Sequence, residues 1–264
     1  MIKQLIEARR YIAAGLMGAF MIVGLASVNA QELTLTEEDM QYNAGEASID
    51  IDGDMSEWSN FPFKTAIPFQ TGPGIGDGEL VLFQTWSDGV WDGPEDHTSA
   101  VSFAWDVDNL YIGVVVTDDS HQNGGGSPAQ AWDGDGIQAV FADLDMTVDT
   151  FLYNFALNDS GDLLVHNEKG PGGAELAVVR DDDAGTTSYE ILLPAASLEE
   201  EAFEAGMQVR VGLCVNDGDE DTPGQKGWSG WGPHAAVTGG KHPTRTGLVT
   251  LTAKHDAVGG STLL

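Results

Sequence analysis

Residues 101–143, VSFAWDVDNLYIGVVVTDDSHQNGGGSPAQAWDGDGIQAVFAD, decide the fold. They contain three apolar runs that are rich in Val, Ile, Tyr and Phe, at residues 101–105, 110–117 and 137–141. The runs are too short for ordinary helices, so they predict strands of a sheet core. Asp106 and Asn109 favour a tight turn between the first two strands. Acidic, glycine-rich segments at 118–126 and 132–136 place carboxylates and a tryptophan at the strand ends, where a site can be presented.

The rest of the chain continues this pattern of short apolar strands separated by turn residues, beginning with a strand predicted at residues 47–51. Only residues 197–205 predict a helix, because Ser197 and Glu200 form a capping box and Gly206 provides a stop. Many short strands and one short helix predict an all-β fold. We expect an antiparallel β-sandwich of two sheets, of the jelly-roll or immunoglobulin-like kind.

The charge of the chain limits its partners. The 264 residues include 42 Asp and Glu against 11 Lys and Arg, for a net charge of −31. Such a surface repels nucleic acid and anionic lipid, so neither is an expected partner. Carboxylates favour hard cations, although an acidic coat also simply keeps a protein soluble.

The N-terminus has the composition of a secretory signal peptide. Lys3, Arg9 and Arg10 precede an apolar run at residues 11–26, and the pattern Val28-Asn29-Ala30 predicts cleavage before Gln31. We therefore expect residues 1–30 to be a signal peptide of a secreted or periplasmic protein, with an uncleaved anchor as the alternative. The polar residues after the cleavage site predict a flexible lead-in at 31–45. The run of short strands predicts one domain at 46–253, followed by a loose tail at 254–264.

The chain has a single cysteine, Cys214, and therefore no internal disulfide. An exported protein of this kind depends on its core, or on bound ions, for stability. Cys214 lies in the alternating run at residues 209–215, which predicts a small strand residue rather than a nucleophile.

Four motifs in order resemble the family 9 carbohydrate-binding modules. They are I-D-G-D-M-S-E-W at residues 51–58, W-D-V-D-N-L-Y-I-G-V-V-V-T-D followed by W-D-G-D-G-I-Q at residues 105–138, Y-E-I-L-L-P at residues 189–194, and V-N-D-G-D at residues 215–219. The resemblance extends from about Ser48 to Leu251. It implies a β-sandwich, a terminal sugar held between two aromatic side chains, and calcium that supports the loops.

Tryptophans in polar loops are the candidate sugar platforms, because flat indole rings stack on the apolar faces of sugars. The resemblance assigns Trp132 to this role and places Gln138 where the family usually has Glu. Trp228, Trp231 and Trp91 are candidates for the second aromatic, and Trp86 also lies beside a Gly/Asp-rich loop. Each of these tryptophans taken singly is as readily explained as a residue that fills a loop.

Alternating carboxylates predict a cation site. Asp217, Asp219 and Asp221 have the spacing with which one loop can surround calcium. Further oxygen donors are Asp133 and Asp135, which flank Gly134, and the adjacent pair Asp118 and Asp119. Acidic turns without a metal have the same appearance.

No catalytic motif accompanies these candidates: the sequence has no HExxH, no GxSxG and no marked pair of carboxylates. The sequence therefore predicts a secreted, non-catalytic carbohydrate-binding module with structural calcium, whose partner is a polysaccharide or oligosaccharide. The alternative is a calcium-dependent extracellular assembly or matrix protein that self-associates without binding sugar. A haem-binding relative with His166 or Met146 as axial ligand is a third hypothesis.

Overall fold

The computed structural model describes residues 33–70, 79–219, 222–232, 236–237 and 240–253. The predicted signal peptide, Asp221 and the predicted tail lie outside these residues. Within the described ranges, no helix is long and apolar enough to cross a membrane.

The described residues are mostly strands. The strands are β1 Gln41–Glu46, β2 Lys64–Thr65, β3 Phe69–Gln70, β4 Leu80–Val81, β5 Gln84–Thr85, β6 His97–Trp105, β7 Asn109–Asp118, β8 Gly136–Ala142, β9 Asp149–Leu157, β10 Leu163–Lys169, β11 Glu175–Asp181, β12 Thr186–Pro194, β13 Gln208–Asp219, β14 Thr222–Trp231, β15 Ala236–Val237, β16 Gly240–Lys241 and β17 Gly247–Thr252. The helices in this part of the chain are short 3₁₀ segments at Met55–Asn60, Pro128–Gln130, Ala195–Leu198 and Pro243–Arg245. The all-β class is confirmed.

The main sheet is one continuous path with the order β10-β9-β8-β13-β17-β1-β6-β7-β12-β11. β14 pairs with β13 and β5, and β2 pairs with β6. β1 is parallel to both β17 and β6, so it joins the halves that we expected to be separate sheets. The two ends of the path, β10 and β11, also contact each other, which makes the sheet nearly closed.

Two local predictions were wrong. The helix predicted at 197–205 is only the 3₁₀ turn Ala195–Leu198, because Glu199 has a left-handed φ of 59° and the amide of Phe203 donates to the carbonyl of Val107 instead of continuing a helix. The segment predicted as a flexible lead-in contains β1, whereas residues 47–51 form no strand. Tyr42 and Ala44 explain this difference, since both pack in the core from a stretch that reads as polar.

The strands alternate between two environments. Their inward residues, among them Phe103, Ile112, Phe141 and Tyr153, form one apolar core. At the ends of β6, β7 and β13 and just before β8, this inward row becomes polar. On the outward face of β8, β9 and β13, amide side chains occupy the positions between the core residues. These two polar regions are the candidate functional sites.

Candidate functional site

A row of polar side chains crosses the outward face of five neighbouring strands. Asn154 of β9 lies opposite Gln138 of β8, and Asn216 of β13 lies opposite Trp228 of β14. Trp228 is in turn opposite Gln84 of β5. Because side chains alternate along a strand, these residues share one face while Ile137, Phe155 and Val215 point into the core. We call this set, Asn154, Gln138, Asn216, Trp228 and Gln84, the amide row.

Asn216 is the centre of the amide row. Its Oδ1 accepts hydrogen bonds from Gln138 Nε2 at 3.1 Å and from Gln225 Nε2 at 2.8 Å. Its Nδ2 donates to the backbone carbonyl of Trp132 at 3.1 Å. Asn216 therefore joins β8 and β14 to the loop that carries Trp132.

Several polar atoms of the amide row are buried without a hydrogen-bond partner in the part of the chain that the structure describes: Asn154 Oδ1, Gln84 Oε1 and Trp228 Nε1. Buried polar atoms are satisfied in the great majority of cases, so three such atoms on one face point to a polar ligand or to water. Both donor and acceptor atoms are among them, which suits the hydroxyl groups of a sugar.

Two tryptophans with exposed rings lie beside the amide row. Trp132 is 45% exposed and precedes β8, whereas Trp86 is 44% exposed and follows β5. The ring centroids of Trp86 and Trp228 are 6.4 Å apart. Trp228 is itself only 4% exposed, since it packs with Cys214 and Val81. Trp132 and Trp86 are thus the residues that offer open aromatic faces.

The other candidates for the second aromatic are less available. Trp231 is 0% exposed and packs in the core against Phe103 and Tyr42, because it has the same inward orientation as Ser229 on β14. Its prediction as a stacking residue was wrong. Trp91 is half-buried, stacks on Phe83 and donates through Nε1 to the carbonyl of His97.

The second polar region consists of inward-facing side chains at one end of the core. His97 opens β6 and is opposite Asp118, the last residue of β7. Asp135 precedes β8, and Asp217 lies in β13. All four side chains are buried, and one donor atom from each lies within 4.8 Å of the others. We call this set the buried cluster.

Hydrogen bonds fix the orientation of each member of the buried cluster. His97 Nε2 lies 3.0 Å from Ser229 Oγ, which directs Nδ1 toward Asp217 Oδ1 at 3.2 Å and Asp118 Oδ2 at 3.8 Å. Asp135 Oδ2 accepts from the amide of Gln122 at 2.6 Å, and Asp118 Oδ1 accepts from the amide of Ser120 at 2.9 Å.

The electrostatics of the buried cluster are unbalanced, because three carboxylates surround one imidazole. Burial alone lowers the pKa of His97, but hydrogen bonds and charge from Asp118 and Asp217 outweigh it and raise that pKa to about 9. Burial and then the charge of Asp118 raise the pKa of Asp135 well above its usual range. The cluster therefore favours either an added proton or a cation.

The backbone conformation of Gly134 directs the side chains of Asp133 and Asp135 to different places. Its φ of +125° is rarely adopted by other residues, and a Cβ there would lie 2.3 Å from the carbonyl oxygen of Gln122. The turn directs Asp135 into the buried cluster and leaves Asp133 half-buried outside it. Of the predicted calcium ligands, the structure brings together Asp118, Asp135 and Asp217, while Asp219 is half-buried outside the cluster.

Sequence reasoning missed His97, Asn154 and Asn216 as site residues. The signal was present, since each continues the alternation of a strand whose faces can be assigned from its apolar residues. What the sequence lacks is the strand order, which brings β6, β7, β8 and β13 together at one end.

The fold is that of carbohydrate-binding modules. A family 9 carbohydrate-binding module from Caldicellulosiruptor kristjanssonii in complex with cellotriose superposes with a TM-score of 0.59 at 13% identity, covering 85% of this chain and 100% of that one. The structure described as that organism's family 9 module in complex with glucose gives a TM-score of 0.57 at 14% identity, with 83% and 100% coverage. No curated protein matches the sequence.

The family model described as carbohydrate family 9 binding domain-like matches residues 77–254, which is more than half of the chain. The chain belongs to this family.

Proposed function

We propose that the protein binds an oligosaccharide or polysaccharide between Trp132 and Trp86, over the amide row. Two solved structures of this fold contain cellotriose and glucose, and the chain belongs to their family. The observation that carries the proposal is the combination of two exposed indole rings with unpaired polar atoms in the amide row beside them. Neither feature alone distinguishes a binding site from a loop.

In the proposed mechanism, the indole rings stack on the sugar and the polar groups of the amide row bind its hydroxyl groups. An indole ring covers the apolar C–H face of a sugar and is worth about 0.5–1.5 kcal/mol beyond the area it buries, on the scale of aromatic pairs. Asn154 and the indole Nε1 of Trp228 then offer an acceptor and a donor to hydroxyl groups. Gln138 is 7% exposed and hydrogen bonded to Asn216, so its role is to hold that residue in place.

Titration calorimetry with cellotriose and glucose tests the proposal. We expect Trp132→Ala to weaken cellotriose binding by about tenfold, which corresponds to about 1.4 kcal/mol. Val107→Ala removes another exposed apolar side chain, from the β6–β7 turn, and is the control, for which we expect no change. Absence of heat with every sugar tested would refute the proposal.

Three finer features belong to the same proposal. We propose that the protein is exported by its N-terminal signal sequence, that it is non-catalytic, and that the sheet folds on itself as a two-layer sandwich of the jelly-roll or immunoglobulin-like kind. Support for the last feature is the single core lined from both halves of the sheet. If the protein is instead a calcium-dependent assembly module, calcium will increase its sedimentation coefficient and sugars will produce no heat.

We also propose that Asp135 and Asp217 hold a structural divalent cation in the buried cluster. The cluster fits a cation because four buried donor atoms converge there, with His97 Nδ1 3.2 Å from Asp217 Oδ1 and 3.8 Å from Asp118 Oδ2. Acidic composition made calcium the expected ion. Asp135 is three residues from Trp132 and Asp217 is next to Asn216, so such an ion would hold both edges of the sugar site.

A further inference from the structure

We propose that the buried cluster is a site for a divalent transition ion of the zinc class, bound through His97, Asp118, Asp135 and Asp217, rather than for calcium. This inference rests on the proposed structural cation and specifies its chemistry. It does not depend on the sugar-binding part of the proposed function.

The first argument is the donor set. Calcium takes six to eight oxygen ligands, whereas zinc accepts imidazole nitrogen together with carboxylate oxygen in four-coordinate sites. In the buried cluster one of the four donors is the imidazole of His97. An imidazole in the centre of such a set selects against hard cations and for borderline ones.

The second argument is the number of oxygen atoms that remain free. Both oxygens of Asp135 already accept hydrogen bonds, Oδ2 from the amide of Gln122 at 2.6 Å and Oδ1 from the amide of Gly218 at 3.2 Å. Asp118 Oδ1 accepts from the amide of Ser120. Bidentate contacts from Asp135 and Asp118, which would raise the coordination number toward that of calcium, would compete with these hydrogen bonds, whereas a four-coordinate ion needs only one oxygen from each.

The third argument is the orientation of His97. Ser229 Oγ lies 3.0 Å from His97 Nε2 and 2.9 Å from Ser99 Oγ, so the ring is held from its far side. Metal-binding histidines are commonly fixed through the second ring nitrogen in this way. The other ring nitrogen, Nδ1, is the one aimed at Asp217 and Asp118.

A second imidazole, the half-buried ring of His121, supports a cation independently. His121 Nε2 lies 3.0 Å from the carbonyl oxygen of Leu157, and since a carbonyl only accepts, this nitrogen is the donor. The other ring nitrogen, Nδ1, has no hydrogen-bond partner among the described residues and lies 3.5 Å from Asp135 Oδ2. A cation held beside Asp135 would lie close to both atoms and would compensate for their burial.

The test uses the full-length mature protein without an affinity tag, freed of metal with a chelator. Zn²⁺ and Ca²⁺ are titrated separately by calorimetry, and the bound metal is counted by elemental analysis after gel filtration. We expect one zinc ion per chain and zinc affinity at least about a hundredfold above that of calcium. Co²⁺ provides a readout without any variant, because four-coordinate and six-coordinate cobalt have different visible absorption intensities.

The variant His97→Gln distinguishes a loss of preference for zinc over calcium from a loss of the fold. Its amide oxygen can replace the imidazole nitrogen as a hard donor. We expect zinc affinity to fall by about tenfold to a hundredfold, and calcium affinity to be unchanged or higher. His242→Gln, outside the cluster, should leave both affinities as in the wild type. An Asp135→Asn variant should weaken both ions.

The outcomes distinguish the two proposals. Calcium binding as tight as zinc in the wild type, weak six-coordinate cobalt absorption, or an equal loss of both ions in His97→Gln would each overturn the selection of a transition ion. If no ion binds, the structural cation itself is refuted and the buried cluster is balanced by protons. Calorimetry with cellotriose on the same metal-free and metal-loaded samples shows whether the sugar proposal stands or falls separately.

Discussion

Replacement of Asn216 by alanine should destabilise the protein and weaken sugar binding together. The substitution removes the bonds from Gln138 Nε2 and Gln225 Nε2 and the bond to the carbonyl of Trp132. A net contribution of about 0.5–1.5 kcal/mol for each of the three hydrogen bonds gives a loss of about 1.5–4.5 kcal/mol in the free energy of unfolding. The position is fully buried, so water cannot readily replace the lost partners.

Urea unfolding followed by tryptophan fluorescence measures this loss, and cellotriose calorimetry measures the effect on binding. Asn167→Ala is the matched control, because it removes an exposed amide that makes one bond to the carbonyl of Gly170. Surface substitutions of that kind usually change stability by less than about 0.5 kcal/mol. If Asn216→Ala lost less than about 1 kcal/mol, or kept full sugar affinity, the amide row would not have the organising role that we assign to it.

Three further predictions concern other parts of the molecule. Glu190→Gln should lose about 1–3 kcal/mol of unfolding free energy, because its single amide oxygen cannot serve both Trp58 Nε1 and the amide of Gly53; unchanged urea stability would contradict this. The pKa of Asp143 is lowered, first by its hydrogen bond from Thr147 Oγ1, so its contribution to stability is present above pH 3.8 and is lost as pH falls through the folded pKa. The stability gap between wild type and Asp143→Asn should therefore narrow on acidification below that pH, and a gap independent of pH would contradict the assignment. Removal of bound metal with a chelator should weaken cellotriose binding by loosening the Trp132 loop, whereas equal affinities in metal-free and metal-loaded protein would show that the two sites are uncoupled.

The central hairpin could be predicted from sequence because its signals are local. The apolar runs and the turn at Asp106 appear in the structure as β6 and β7.

The I-D-G and Y-E motifs could be recognised in the sequence, but their physical role could not be explained from it. The structure explains them through Glu190, whose carboxylate accepts from Trp58 Nε1 at 2.9 Å and from the amide of Gly53 at 2.7 Å.

Long-range pairing could not be predicted in the same way. β1 is polar at alternate positions and short, and it becomes a strand only because β17 and β6 offer edges on both sides. The burial of Trp231 depends on the pairing register of β13 with β14, which the local glycine-rich sequence does not specify.

The candidate site shows the same division. Trp132 could be assigned from its motif, and the structure leaves its ring exposed. His97 is about 120 residues from Asp217 in the chain, so only the order β13-β17-β1-β6-β7 brings their side chains to 3.2 Å. Residue spacing in a sequence identifies carboxylates that are close in the chain. It does not identify carboxylates that the strand order brings together at one end of the core.

The most direct measurement is the set of indole N–H signals in a ¹⁵N NMR titration with cellotriose, because each of the seven tryptophans reports separately. If sugar stacks beside the amide row, the signals of Trp132, Trp86 and Trp228 shift in proportion to occupancy. Those of Trp58, Trp105 and Trp231, which are buried elsewhere, stay in place. Shifts confined to other tryptophans, or no shift at saturating cellotriose, would contradict the account.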